Sequence, residues 1–146
     1  MSEKQAEETR MSYPITYIDG IDGEAAATLK SAGIRSTGRL LEVARTLRGR
    51  KMLAEKTGIG EKQLLCWANM ADRMRVKGIR KEYAELLQAA GVDTVKDLKY
   101  RNPANLANSM AEANKKRKMV RLLPSEKVVG NWIENAKKLQ LKITYK

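Results

Sequence analysis

From Tyr13 onward, apolar residues return at three- and four-residue intervals, and the intervals are broken at glycines. That spacing predicts helices, because positions three and four apart share one helix face. Residues 24–32 carry Ala26 and Leu29 on one face and end at Gly33, the residue that most readily takes a left-handed C-terminal position. Ser36 or Thr37 caps a second helix running to about Leu47, and a short helix spans 50–56. Gly58-Ile59-Gly60 turns the chain into a long helix over 61–74. The second half follows the same order. A helix over 80–90 ends at Gly91, Thr94 caps a short one, Asn102-Pro103 starts another, and Pro124-Ser125 opens the last. On that last helix Val128, Val129, Trp132, Ile133, Ala136 and Leu139 form one stripe. Leu64, Trp67, Ala68, Ala71 and Met74 form its counterpart. Both tryptophans therefore belong to the core, and Cys66, beside Trp67, reads as a packing residue.

The likeness of the halves extends to residues. Moving 18–40 by 58 positions onto 76–98 gives 8 identities in 23: Gly20, Ile21, Glu24, Ala26, Leu29, Ala32, Gly33 and Leu40. A shift of 65 aligns Glu61, Lys62, Trp67 and Ala71 with Glu126, Lys127, Trp132 and Ala136. The expected fold is all-α: two duplicated helix-hairpin-helix units, 13–75 and 76–146, packed as one compact helical protein. Residues 1–12 are polar and without periodicity and read as a flexible tail. Leu141 to Tyr145 has strand propensity but no evident partner.

Composition adds a direction. The net charge is +12, and it is unevenly spread. Residues 1–72 hold 11 Lys/Arg against 10 Asp/Glu, whereas 73–146 hold 18 against 7. A half-molecule at +11 calls for an anionic partner. No apolar run approaches a membrane span, the N-terminus has no secretory pattern, and the lone Cys66 makes no disulfide within the chain, so a cytoplasmic protein is expected. There is no His, no metal-ligand spacing and no phosphate-binding loop following a strand. The expectation is a non-enzyme without cofactor or metal.

Three segments share an apolar residue, a tight glycine turn, an apolar residue and a helix start: Ile18-Asp19-Gly20-Ile21-Asp22-Gly23, Thr57-Gly58-Ile59-Gly60 and Lys77-Gly78-Ile79-Arg80-Lys81. Leu123-Pro124-Ser125 occupies a fourth such place without glycines. The pattern from Ile18 to Ile34 resembles a helix-hairpin-helix motif and the C-terminal domain of the bacterial RNA polymerase alpha subunit. The run from 13 to 145, with its two tryptophans, resembles Domain of Unknown Function 4332. The hairpin resemblance implies contact with a DNA backbone.

The physics points the same way. A glycine turn at a helix N-terminus exposes N–H groups and a partial positive charge to which a phosphate can come close. Such contacts hold a backbone without reading bases. The first hairpin, with Asp19, Asp22 and Glu24, would repel phosphate. The expected interface is therefore Lys56, Gly58, Ile59, Gly60 and Lys62 at the second hairpin. At the third it is Arg73, Arg75, Lys77, Gly78, Ile79, Arg80 and Lys81, joined by the run Lys115, Lys116, Arg117 and Lys118 with Arg121 nearby. The partner expected is DNA ahead of RNA, at the nucleoid. The alternative is a protein–protein adaptor in a DNA-processing or transcription assembly, using the near-neutral first unit.

Overall fold

The computed structural model describes residues 12–145, so the expected tail over 1–12 lies outside the described residues except for Ser12. The described chain is all-helical, with eight α-helices and no strand. Its internal contacts divide it in two, the boundary falling between Arg75 and Val76.

The first unit contains α1 (Gly23–Ser31), α2 (Thr37–Ala44), α3 (Leu47–Thr57) and α4 (Glu61–Arg73), preceded by a 3-10 turn at Ile15–Tyr17. Helix α1 starts where Asp22 accepts from the Ala25 N–H (2.8 Å). It ends in a Schellman motif: Gly33, at φ 87°, donates to the Lys30 carbonyl, and the Ile34 N–H reaches back to that of Leu29. Ser36 caps α2. That helix stops at Ala44, short of Leu47, because the Thr46 hydroxyl accepts from the Gly49 N–H (3.0 Å) and opens α3 there. Gly49 has no freedom to be anything else, since a Cβ at its position would collide with the Val43 carbonyl oxygen. Helix α2 packs against α4. Leu29, Leu40, Leu53, Leu64 and Trp67 bury between the helices with Ile15, Ile18 and Ile34.

Ser12 is held, its hydroxyl accepting from the Gly38 N–H (3.1 Å). The C-terminal segment also finds a partner, contrary to expectation. From Lys142 onward the chain groups with the first unit rather than the second. The Thr144 N–H donates to the Arg45 carbonyl (2.7 Å), and the buried Arg50 guanidinium bridges the carbonyls of Ala44 (2.9 Å) and Thr144 (2.7 Å).

The second unit contains α5 (Lys81–Ala89), α6 (Val95–Lys99), α7 (Pro103–Arg117) and α8 (Glu126–Lys137). The Schellman motif recurs at its first helix. Gly91, at φ 96°, donates to Gln88, and Val92 to Leu87. Thr94, Asn102 and Ser125 cap α6, α7 and α8 with their side chains. Helix α8 packs on α6 and α7, with Val129, Trp132, Ile133 and Ala136 buried. Val128 departs from the expected stripe and is 40% exposed. It lies 100° around the helix from Val129, at the edge of the apolar face. Cys66 departs in the same way. It is exposed, one position off the buried Leu64–Trp67–Ala68–Ala71 row of α4.

Candidate nucleic-acid interface

The first and third glycine hairpins each rest on a tryptophan. In the first unit Ile21 N–H donates to the Ile18 carbonyl across a turn whose third residue, Gly20, has φ 94°. In the second, Ile79 N–H donates to Val76 (3.0 Å) across a turn with Gly78 at φ 94°. A Cβ on Gly20 would lie 3.4 Å from the Trp67 indole nitrogen, and one on Gly78 would lie 3.0 Å from that of Trp132. Positive φ at the third turn position favours glycine in both turns, and at Gly78 the indole is close enough to crowd a Cβ as well. The Lys77 carbonyl in the second turn accepts from the Asn135 side chain (3.1 Å), which ties the hairpin to α8.

Side-chain capping separates these hairpins by chemistry. Six of the eight described helices have their first turn capped by the side chain of Asp22, Ser36, Thr46, Thr94, Asn102 or Ser125. The remaining two are α4, which follows Gly60, and α5, which follows Arg80. These are the helices behind the second and third hairpins. At the first hairpin the Asp22 carboxylate already occupies the anion position. Each remaining helix start has cations beside it. Lys56 and Lys62 are exposed near Gly60, and Lys77 and Arg80 are exposed at the third hairpin, where Lys81 is half-buried. Carboxylates share the first turns, Glu61 on α4 and Glu82 on α5.

Several expected contact residues are placed elsewhere. Arg73 is 1% exposed, its guanidinium against the Met70 sulfur (3.2 Å). Arg75 is 7% exposed and forms an ion pair with the buried Asp72 (2.7 Å). Both are interior groups and drop out of the interface. Ile79 is buried with its N–H committed to the turn, so it anchors the hairpin rather than meeting a ligand. Gly58 donates its N–H to Ala54 as the left-handed cap of α3, and Ile59 donates to the Thr57 hydroxyl. What the second hairpin offers outward is Gly60, the first turn of α4 and the two lysines.

The run at 115–118 closes α7. Lys115, Lys116 and Arg117 lie in its last turn, and Lys118 takes the left-handed cap position at φ 49°. All four are exposed, and Lys115 pairs with Glu112 (3.4 Å). Cations at a helix C-terminus are favourable in themselves, facing the negative end of the dipole. Lys116 and Arg117 also rim an open cleft with Asn108, Ser109 and Glu112.

One exposed segment of the second unit had no counterpart among the expected contact residues. After Lys118, the Asn114 side chain accepts from the N–H groups of Met119 (2.8 Å) and Val120 (3.0 Å) and donates to the Val120 carbonyl (3.1 Å). The Tyr83 hydroxyl holds the Leu122 carbonyl (3.1 Å). Leu122 and Leu123 then project outward, 77% and 41% exposed. The available signal was two leucines, outside any helical period, between Arg121 and Pro124.

Among the described residues no helix is long and apolar enough to cross a membrane, and no group of three His, Cys, Asp or Glu could hold a metal ion. No curated protein and no solved structure matches the chain. A family model described as domain of unknown function (DUF4332) matches residues 19–139, with both tryptophans and the glycines of all three hairpins inside the match, and the chain belongs to that family.

Proposed function

We propose that this protein binds a nucleic-acid backbone, double-stranded DNA ahead of RNA, without reading sequence. The observation that carries the reading is the capping pattern. The two helix starts left without a side-chain cap are the two that follow the glycine hairpins flanked by exposed cations. A phosphate oxygen there accepts first-turn N–H groups, meets the positive end of the helix dipole and pairs with a neighbouring lysine or arginine. Lys56, Gly60 and Lys62 serve one such contact, and Lys77, Gly78, Arg80 and Lys81 the other. Lys115 to Lys118 and Arg121 add charge without geometry. Backbone N–H groups and cations at helix starts meet phosphates rather than base edges, so the expected affinity is electrostatic and sequence-tolerant. The role needs no cofactor and suits a cytoplasmic, nucleoid-associated protein.

The test is fluorescence anisotropy on two unrelated duplexes across a salt series. The expected slope of log K against log salt is about −0.9 for each phosphate neutralised. Replacing Lys77, Arg80 and Lys81 together by Gln weakens both duplexes alike and flattens the slope. Strong preference for one duplex at every salt would refute sequence indifference. Absence of binding at low salt would refute the reading altogether. It would favour the protein–protein adaptor instead, a role supported by the exposed Asp19, Asp22 and Glu24 around the first hairpin.

A further inference from the structure

The loop between α7 and α8 presents two leucines to water in a setting that works against their simply being spare surface. The backbone around them is held at several points. Asn114 makes three hydrogen bonds to residues 119 and 120, Tyr83 holds the carbonyl of Leu122 itself, and Ser125 caps the helix that follows. Tyr83 is in turn set against the buried Trp132, the ring centroids 5.2 Å apart. The Leu122 carbonyl is therefore tied, through Tyr83, to the core of its unit. Along the chain the leucines are bracketed by exposed cations, Lys118 and Arg121 before them and Lys127 after, with a single exposed carboxylate, Glu126, beside Lys127. Val128, also exposed, extends the apolar surface.

We propose that Leu122 and Leu123 form a wedge that enters the base stack of duplex DNA while Lys118, Arg121 and Lys127 hold the flanking phosphates. The proposal rests on the nucleic-acid reading above and adds a consequence to it, since a protein that wedges a step also kinks the duplex. The charge pattern selects the occupant. A partner must be anionic on both sides of an apolar acceptor, and a duplex offers phosphate rails around apolar base faces. Apolar side chains inserted between base steps unstack them and bend the helix by about 20–90°. Prising a step apart requires a braced wedge, and the Tyr83 bond to Leu122, with the Asn114 bonds at 119 and 120 just before it, supplies the bracing. Pyrimidine–purine steps, the easiest to unstack, are the preferred points of entry. Shape preference then accompanies indifference to base identity.

A short duplex carrying a donor dye at one end and an acceptor at the other tests the wedge, with anisotropy on the same duplex reporting binding. The variant is Leu122→Ala/Leu123→Ala. Both side chains are exposed, so its melting temperature should match that of the wild type. Wild-type protein at saturation is expected to raise energy transfer. The variant is expected to bind with the same salt slope, because the cations are unchanged, and to leave energy transfer at the level of free DNA. Binding by wild type without a rise in transfer, or an equal rise with the variant, overturns the wedge and leaves the backbone-binding reading intact. No binding of either protein overturns both. Vesicles of phosphatidylcholine and phosphatidylserine form the last arm. Sedimentation of wild type but not the variant with these vesicles, in the absence of DNA binding, overturns the wedge and assigns the leucines to a membrane surface.

Discussion

At the residue scale, single atoms decide what is allowed. Gly78 stands at φ 94° over the Trp132 indole. Alanine there should cost about 1–2 kcal/mol for the left-handed backbone alone, with crowding against the ring added, measurable by urea unfolding. Asp72 illustrates a different constraint. It is buried with Arg75, and burial pushes its carboxyl above the ordinary aspartate range, with the Arg75 charge and hydrogen bond pulling back. A carboxyl whose folded pKa is raised contributes stability that is complete below the unfolded value and is lost as pH climbs through the folded one. The stability of wild type relative to Asp72→Asn should therefore fall as pH rises through the carboxylate range, as read from chemical melts at several pH values. A relative stability that rises over that range would show that the ion pair outweighs desolvation. Truncating Asp72 to Ala leaves the Arg75 guanidinium buried without its carboxylate and should cost about 3–5 kcal/mol.

Among elements, the boundaries with strong local chemistry were legible before any coordinates. Gly33 and Gly91 end their helices, Thr94, Asn102 and Ser125 start theirs, and both tryptophans are buried, because capping and helical period are written in residues close together. Less legible was the break between α2 and α3, where a threonine hydroxyl ends one helix by starting the next without a proline to mark it. Burial of Arg73 and Arg75 was also hidden. A dense run of cations reads as surface, and only the structure brings Asp72 and Met70 inside with them. The glycines and exposed lysines of the candidate interface were thus legible, whereas the burial that removes Arg73 and Arg75 from it and the exposure of Leu122 and Leu123 were not. A carboxylate within a proposed contact supplies a further check. Glu61 sits in the first turn of α4, where it competes with phosphate. Glu61→Gln should tighten DNA binding, read as a lower Kd at low salt with the difference shrinking as salt rises.

For the whole molecule, charge distribution was available by counting, whereas the course of the C-terminal segment was not. Thr144 and Arg45 are 99 positions apart, and no local pattern announces a contact at that distance. Arg50 secures it with two charged hydrogen bonds. Arg50→Met should destabilise by about 2–4 kcal/mol, given roughly 1.5–3 kcal/mol for each hydrogen bond to a charged group less the apolar packing retained. It should also expose Lys142 to trypsin at protein concentrations where the wild type resists. Equal cleavage rates would mean that the main-chain bond to Arg45 suffices.

That clamp has a consequence in time. A ribosome releases the chain in order, at about 5–20 residues per second. Arg50 is made early, but the carbonyl it holds at Thr144 comes 94 residues later. For roughly 5–19 s at that rate the Arg50 guanidinium has no Thr144 carbonyl to hold, while the rest of the first unit's N-terminal part and every residue of the second are synthesised. Completion of the earlier unit is thus tied to completion of the later one. A chain that stalls before Thr144 leaves the ribosome with an unfinished first half and an exposed arginine that a protease or chaperone can meet.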